Sequence, residues 1–299
     1  MDYAIVQTLN GLGLGIILAV IAVGLTLVFS ILKVVNFAHG ELYMVGGYFA
    51  YYTITLLGLS PFPALVVAIA ASFLLGAVLE RSLLSPLYSD ATERKAEYGI
   101  LITFGLAVAL RNLALILFGP FPLRPPSFVI GVQKWGPFTI ANDRIVAGGA
   151  GIVLLAALVY FVQRTTWGQA LDAVSQSRES AAIVGINPRR VYTLGFGLGA
   201  ALAGGAGALI APIFSLSPSM GILRDTQAFV IVILGGMGSV PGSIIAGILI
   251  GLAESLFTAY FPDPTRALSY SNAFSVLVLI VILILRPTGI LGRRHVQME

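Results

Sequence analysis

Side chains able to do acid–base, nucleophilic or metal chemistry are sparse in this sequence. There are two histidines, His39 and His295, and no cysteine. Thiolate catalysis, disulfides and cysteine metal sites therefore drop out together. Neither an HExxH pair nor a cluster of carboxylates suggests a metal site. The sequence has no Gly-Lys pair, hence no GxxxxGK[ST] phosphate loop, so any ATP hydrolysis has to occur on another chain. A Gly-x-Ser-x-Gly elbow for a serine nucleophile is also missing. A membrane enzyme is the weaker hypothesis, and no cofactor is expected.

What remains is a handful of polar groups set in apolar surroundings. Val35-Asn36-Phe37-Ala38-His39-Gly40-Glu41 interrupts an apolar run, and polar side chains at membrane depth are costly unless they face a cavity or one another. Asn36, His39 and Glu41 either belong to a translocation path or sit in the inner headgroup zone as a tight helix–helix connection. In the second case Glu41 near a helix start is favoured by the helix dipole alone. Glu254 is either a bundle-facing acid bonded to a neighbouring helix or part of the path. Arg111 and Asn112, late in an apolar segment, are expected to snorkel outward.

The elements that must position these groups follow from composition. Of 299 residues, 58% are hydrophobic and only 10% charged. A soluble globule carries charge on roughly a quarter of its residues, so soluble enzymes and nucleic-acid binders are excluded and no nucleic-acid partner is expected. The chain reads as an all-α polytopic membrane protein forming one transmembrane domain over residues 1–299, in contact with lipid. Asp2 is the sole charge before Lys33, so the first apolar segment lacks the basic start of a cleaved signal and is expected to be retained.

At about 20 apolar residues per crossing, spans are expected at 8–32, 41–58, 62–84, 98–118, 144–163, 191–214 and 272–286. Between the last two, Gly235-Gly236-Met237-Gly238-Ser239-Val240-Pro241-Gly242 interrupts segment 225–260, since such a run cannot hold a regular helix interior. The split into 225–234 and 242–260 gives eight or nine membrane segments with one interrupted helix. Gly235, Gly236, Gly238 and Ser239 are expected to line the path, because irregular backbone in a bilayer is tolerated only against protein or a water-filled cavity. Placing the N-terminus outside puts eleven Lys and Arg on inner loops and ends, Arg293 and Arg294 among them, against six elsewhere. The positive-inside rule then gives N-out, C-in.

Two loops stand out. Residues 119–142, rich in Pro and aromatics, read as an ordered external (periplasmic) lid. Residues 164–190 read as a cytoplasmic stretch holding one short amphipathic helix at the inner membrane surface. Ala170, Leu171, Val174 and Ala181 share its apolar face, and Gly185 and Pro188 end it. An internal duplication is also suggested: Gly11–Leu25 aligns without gaps to Gly195–Leu209 at eight of fifteen identities. On this topology the copies run in opposite directions, the arrangement of an inverted repeat. The small-residue faces Gly11xxxGly15 and Gly195xxxGly199xxxAla203 let helix backbones approach closely.

Several segments together resemble the branched-chain amino-acid ABC transporter permeases, LivH-type subunit. They are Asn36-Phe37-Ala38-His39-Gly40-Glu41-Leu42 with Met44-Val45-Gly46-Gly47-Tyr48, then Gly168-Gln169-Ala170 through Ala181-Ala182 to Gly185-Ile186-Asn187. Gly235-Gly236-Met237-Gly238-Ser239 with Gly242, and Arg286-Pro287 with Gly289 and Gly292, complete the set. The resemblance implies a subunit of a bacterial inner-membrane importer that pairs with a second related permease, two cytoplasmic ATPase subunits and a periplasmic substrate-binding protein. It also implies that Gly168, Ala170, Leu171, Val174, Ala181, Ala182 and Gly185 belong to an ATPase-coupling element. Ser180 departs from the family pattern there. Chains of this kind also serve other hydrophobic amino acids, urea or short amides, and aromatic acids, so the substrate stays open. A stand-alone secondary transporter or channel, with Glu254, Glu41 and His39 as an ion relay, is the alternative of a different class.

Overall fold

The computed structural model describes residues 2–88, 94–135 and 138–292. Arg293, Arg294 and His295, and the Gly136-Pro137 pair of the 119–142 segment, lie outside the described residues. The helices are α1 (Asp2–Leu32), α2 (His39–Leu57), α3 (Pro61–Leu79), α4 (Lys95–Phe118), α5 (Asn142–Arg164), α6 (Thr166–Gln176), α7 (Arg178–Ile183), α8 (Pro188–Phe214), α9 (Met220–Gly235), α10 (Val240–Tyr260) and α11 (Pro264–Leu285). A π-helical turn and a 3₁₀ turn prolong α3 to Tyr88. The 119–142 segment carries a small antiparallel hairpin of β1 (Val132–Trp135) and β2 (Phe138–Ala141).

Helix boundaries follow local chemistry. Pro61, Pro188 and Pro241 occupy first-turn positions, where the missing N–H costs nothing. Asn187 caps α8 by accepting from the N–H groups of Arg189 and Arg190, and Ser239 caps α10 by accepting from Gly242. Gly58 ends α2 in the left-handed conformation at φ 64°.

Helices α1 and α8 form the centre. Their most apolar stretches are 78% and 89% buried, against 22% for α4 at the rim. Around them α1 packs chiefly on α10, and α3 on α8, while α1 and α8 also touch. This pairing sets α1 and α8, the first helices of the two halves, against α10 and α3, the third helices of the other halves. Glycine makes it possible. A Cβ on Gly251 or Gly15 would strike the backbone of the facing helix, and Gly24 on α1 meets Gly199 on α8 at the same range.

Loops gather at two ends. At one end Arg178 Nη2 donates to Tyr88 O at 2.8 Å, Tyr88 stacks on Tyr192, and the 236–239 turn lies beside Ser30. At the other end Tyr3 reaches Ala259, and Leu123 bridges to Leu216. Among the described residues nine helices thus alternate between the ends. Six of them are long and apolar enough to cross a membrane by length and composition alone. Helix α2 falls short in apolarity, its first turn carrying His39 and Glu41, and α9 falls short in length at 16 residues, with Arg224, Asp225 and Gln227 in its N-terminal half.

Two expectations need correction. The Gly-rich break is shorter than the sequence implied: α9 runs through Gly235 and α10 begins at Val240, leaving 236–239 between them. Gly235 and Gly242 stay helical and let α9 and α10 touch, with a Cβ on Gly235 falling 2.5 Å from Gly242 C. The 164–190 stretch holds two helices, because Ser177 turns extended at φ −153° and caps α7 by accepting from Ser180 N. Its apolar face does not rest on the membrane surface. Leu171, Val174 and Ala181 are buried against the chain itself, with α6 packed on α5, α8 and α1.

Candidate translocation site

Helix α2 does not begin where α1 ends. Leaving α1 at Leu32, residues 33–38 double back, and His39 Nε2 donates to Ile21 O at 2.9 Å. Ile21 lies eleven residues before the end of α1, about 16 Å by helical rise. The first turn of α2 is therefore sunk into the bundle. This corrects the picture of Asn36, His39 and Glu41 as a connection in the inner headgroup zone: all three are buried, at 2%, 0% and 2% exposure. Asn36 Oδ1 accepts from Ala38 N at 3.0 Å and shapes the re-entrant loop.

Helix α9 meets α2 there, first turn against first turn. A Cβ on Gly221 would lie 2.5 Å from Gly40 O and 2.9 Å from Glu41 Oε2, so the crossing demands glycine on both sides. Each helix start is faced by a carboxylate from the other. Asp225 Oδ1 accepts from Gly40 N at 3.0 Å, and Glu41 Oε2 rests on Gly221. The partial positive charge of two helix N-termini makes this position tolerable for acids away from water.

Arg111 completes the cluster and overturns the expectation that it snorkels outward. Its Nε and Nη2 both donate to Glu41 Oε1, at 3.0 and 2.8 Å. A buried carboxylate at this depth requires a cation, and α4 supplies it. Toward the basic end of the bundle, the end of Lys33, Arg178, Arg286 and the 236–239 turn, Phe37 meets Phe104 of α4 and Phe229 of α9, with ring centroids 6.5 and 5.3 Å apart.

Glu254 lies in a second polar chain. Its Oε2 accepts from Gln227 Nε2 at 3.1 Å and its Oε1 from Ser271 Oγ at 2.9 Å, while Arg224 Nη1 donates to Gln227 Oε1. Both oxygens are engaged between α9, α10 and α11, which is the bundle-facing arrangement. Gly235, Gly236, Gly238 and Ser239 lie apart from both clusters. Ile290 N and Leu291 N donate to Leu234 O and Gly235 O, so the C-terminal segment seals the end of α9, and Gly236 at φ 98° touches Gly292. Among the coupling residues, Gly168, Leu171, Val174 and Ala181 are buried and Ala170 half-buried, while Ala182 and Gly185 face outward with Ile183 and Val184 (86% and 74% exposed). Among the described residues no group of His, Cys, Asp and Glu is placed to hold a metal.

Sequence reasoning passed over Arg111 as a partner and did not single out Asp225 or Gln227. A charge inside an apolar segment was the available signal, because such a charge requires a partner.

Comparison with known proteins accords with this architecture. Residues 7–283 match the family model described as branched-chain amino acid transport system / permease component. The chain belongs to that family. It is 31% identical to the high-affinity branched-chain amino acid transport system permease protein LivH of Salmonella typhimurium, over 99% of this chain and 97% of that one. It is 32% identical to BraD, the corresponding protein of Pseudomonas aeruginosa, over 97% and 96%. The LivM permease of Escherichia coli is 27% identical over 96% of this chain and 70% of its own length. Among solved structures, PsaBC from Streptococcus pneumoniae in complex with Fab shares the fold, with a TM-score of 0.52 at 14% identity over 93% and 91% of the two chains.

Proposed function

We propose that this chain is one membrane subunit of an ATP-driven importer of branched-chain amino acids, with its N-terminus outside and its basic end in the cytoplasm. The observation that carries this reading is the rigid α6–α7 element. Its buried face fixes it to α5, α8 and α1, while Ile183 and Val184 stand out in water at the basic end. Exposing two large aliphatic side chains there is unfavourable unless another protein covers them. An ATPase subunit fits, since this sequence has no phosphate loop and hydrolysis must be supplied from elsewhere. A stand-alone carrier would have no use for such an element. The similarity to both LivH and LivM supports a second, related permease as the membrane partner, and the apolar outer faces of α3, α4 and α11 offer it surface. A periplasmic binding protein would deliver the cargo at the opposite end. The path itself is assigned to the α2–α9 crossing rather than to the 236–239 turn.

The test is uptake into vesicles holding the assembled importer, with a panel of branched-chain amino acids, short amides and aromatic acids. Uptake of leucine, isoleucine and valine that needs both ATP and the ATPase subunits is the expected result. Uptake without ATPase subunits would overturn the reading in favour of a carrier, and uptake of amides alone would move the substrate class. Ile183→Glu should detach the ATPases while leaving the permease folded.

A further inference from the structure

At the α2–α9 crossing Arg111 is bonded to Glu41, Asp225 faces Gly40 N, and the neighbouring Arg224 is turned to Gln227 in the second polar chain. We propose that Arg111 and Asp225 read the two charges of the transported amino acid, its carboxylate against Arg111 and its ammonium against Asp225 and Glu41. This deepens the reading of the chain as an amino-acid permease and rests on it.

Four observations support the assignment. First, Asp225 and Glu41 are held side by side at the crossing, on Gly40 N and against Gly221, and among the described residues Arg111 is bonded to Glu41 while no cation is bonded to Asp225. Second, Glu41 is 2% exposed, yet its Oε2 has no hydrogen-bond partner among the described residues. A buried carboxylate oxygen left without a donor is costly, and an ammonium group brings three donors. Third, both N–H groups that Arg111 commits go to a single oxygen, Glu41 Oε1, and the guanidinium side chain is 37% exposed. With five N–H donors in a fixed fork, it keeps enough to bind a second carboxylate. Fourth, the two helix starts are already faced by Asp225 and Glu41. A substrate carboxylate would therefore meet like charge at the helix ends and is directed to Arg111.

The surroundings suit the rest of the cargo. Phe104 lies two turns from Arg111 along α4, and Phe229 one turn from Asp225 along α9. The helices run in opposite directions, so both rings fall on the basic side of the charged groups, where Phe37 joins them. A zwitterionic head at the charged cluster would thus place an aliphatic side chain on aromatic surface. The Glu41–Arg111 pair would loosen as the cargo carboxylate takes its place, and re-form as the cargo leaves.

The experiment uses the complete importer in proteoliposomes, with leucine uptake counted per assembled complex. Asp225→Asn is nearly isosteric and keeps an acceptor for Gly40, and Arg111→Lys keeps the charge but loses the fork. Each should lower turnover about tenfold or more, the loss that follows removal of one charge-assisted hydrogen bond. The melting temperature of the complex and the binding protein's affinity for leucine should stay the same. The exchange Glu41→Arg with Arg111→Glu retains an ion pair with its poles reversed. An assembled but inactive exchange variant supports the proposal, whereas wild-type turnover in that variant overturns it. If the exchange variant does not assemble, Asp225→Asn decides: unchanged turnover, or turnover that falls only with the melting temperature, overturns the proposal. A wild-type complex that assembles and hydrolyses ATP yet moves no branched-chain amino acid would instead refute the underlying functional reading.

Discussion

Gly247→Ala tests whether the α1–α10 contact is as close as the structure makes it. A Cβ on Gly247 would lie 2.6 Å from Ala19 Cα and 2.7 Å from Ala19 N, and backbone atoms cannot rotate out of the way. To bring 2.6 Å up to the 3.4 Å of ordinary contact, the two helices must part by about 0.8 Å. One extra methyl in a packed core costs roughly 1–3 kcal/mol, and a clash with backbone belongs at the upper end. Alanine regains roughly 1 kcal/mol of helix propensity over glycine, so the net loss is about 2 kcal/mol. The same arithmetic explains a useful control. Gly105 on the rim helix α4 has nothing within 4 Å of its Cβ position, so Gly105→Ala should be neutral or slightly stabilising. Gly15→Ala approaches the same seam from the other helix, 2.8 Å from Ile248 Cα. Once the seam has opened for one alanine, the second should cost less than it does alone. Thermal denaturation of the purified permease, followed by loss of the monodisperse peak on size exclusion, reads all four variants. A Gly247→Ala protein that melts with the wild type would refute the packing argument, and strict additivity with Gly15→Ala would refute the shared seam.

Three further outcomes are expected. Glu254→Gln should lower the yield of assembled complex while transport per complex stays constant, because Ser271 and Gln227 hold both carboxylate oxygens and Gln offers one acceptor; reduced transport at full yield would return Glu254 to the path. Asn187→Ala removes the side-chain oxygen that accepts from the N–H groups of Arg189 and Arg190 and should cost about 1 kcal/mol, seen as earlier melting of the permease and as lost amide-exchange protection in the first turn of α8. Gly236→Ala forces a side chain onto a residue at φ 98° against Gly292, and should release residues 286–292 to limited proteolysis without changing the α2–α9 crossing.

The sequence by itself determined the membrane class, the approximate helix spans and the family. These depend on properties that accumulate locally: runs of apolar residues, Pro and Gly at helix ends, and the order of short motifs. It also marked Asn36, His39, Glu41 and Glu254 as polar groups in apolar surroundings, since a buried charge is conspicuous whatever surrounds it. It did not say what they meet. Arg111 is seventy residues from Glu41, and Asp225 is 185 from Gly40; only the packing of α2, α4 and α9 brings them together. The glycine run at 235–242 was legible as unusual but not as to location, because glycine permits a break, a close crossing and a tight turn alike, and neighbours decide among them. The amphipathic wheel of 168–185 likewise identified an apolar face, but the neighbours expected for it, the inner membrane surface and an ATPase, are not what covers it. The structure covers that face with α5, α8 and α1 and leaves Ile183 and Val184 outside. Periodicity fixes which residues share a face, but the partner of that face is a long-range contact, and that is what the tertiary structure decided.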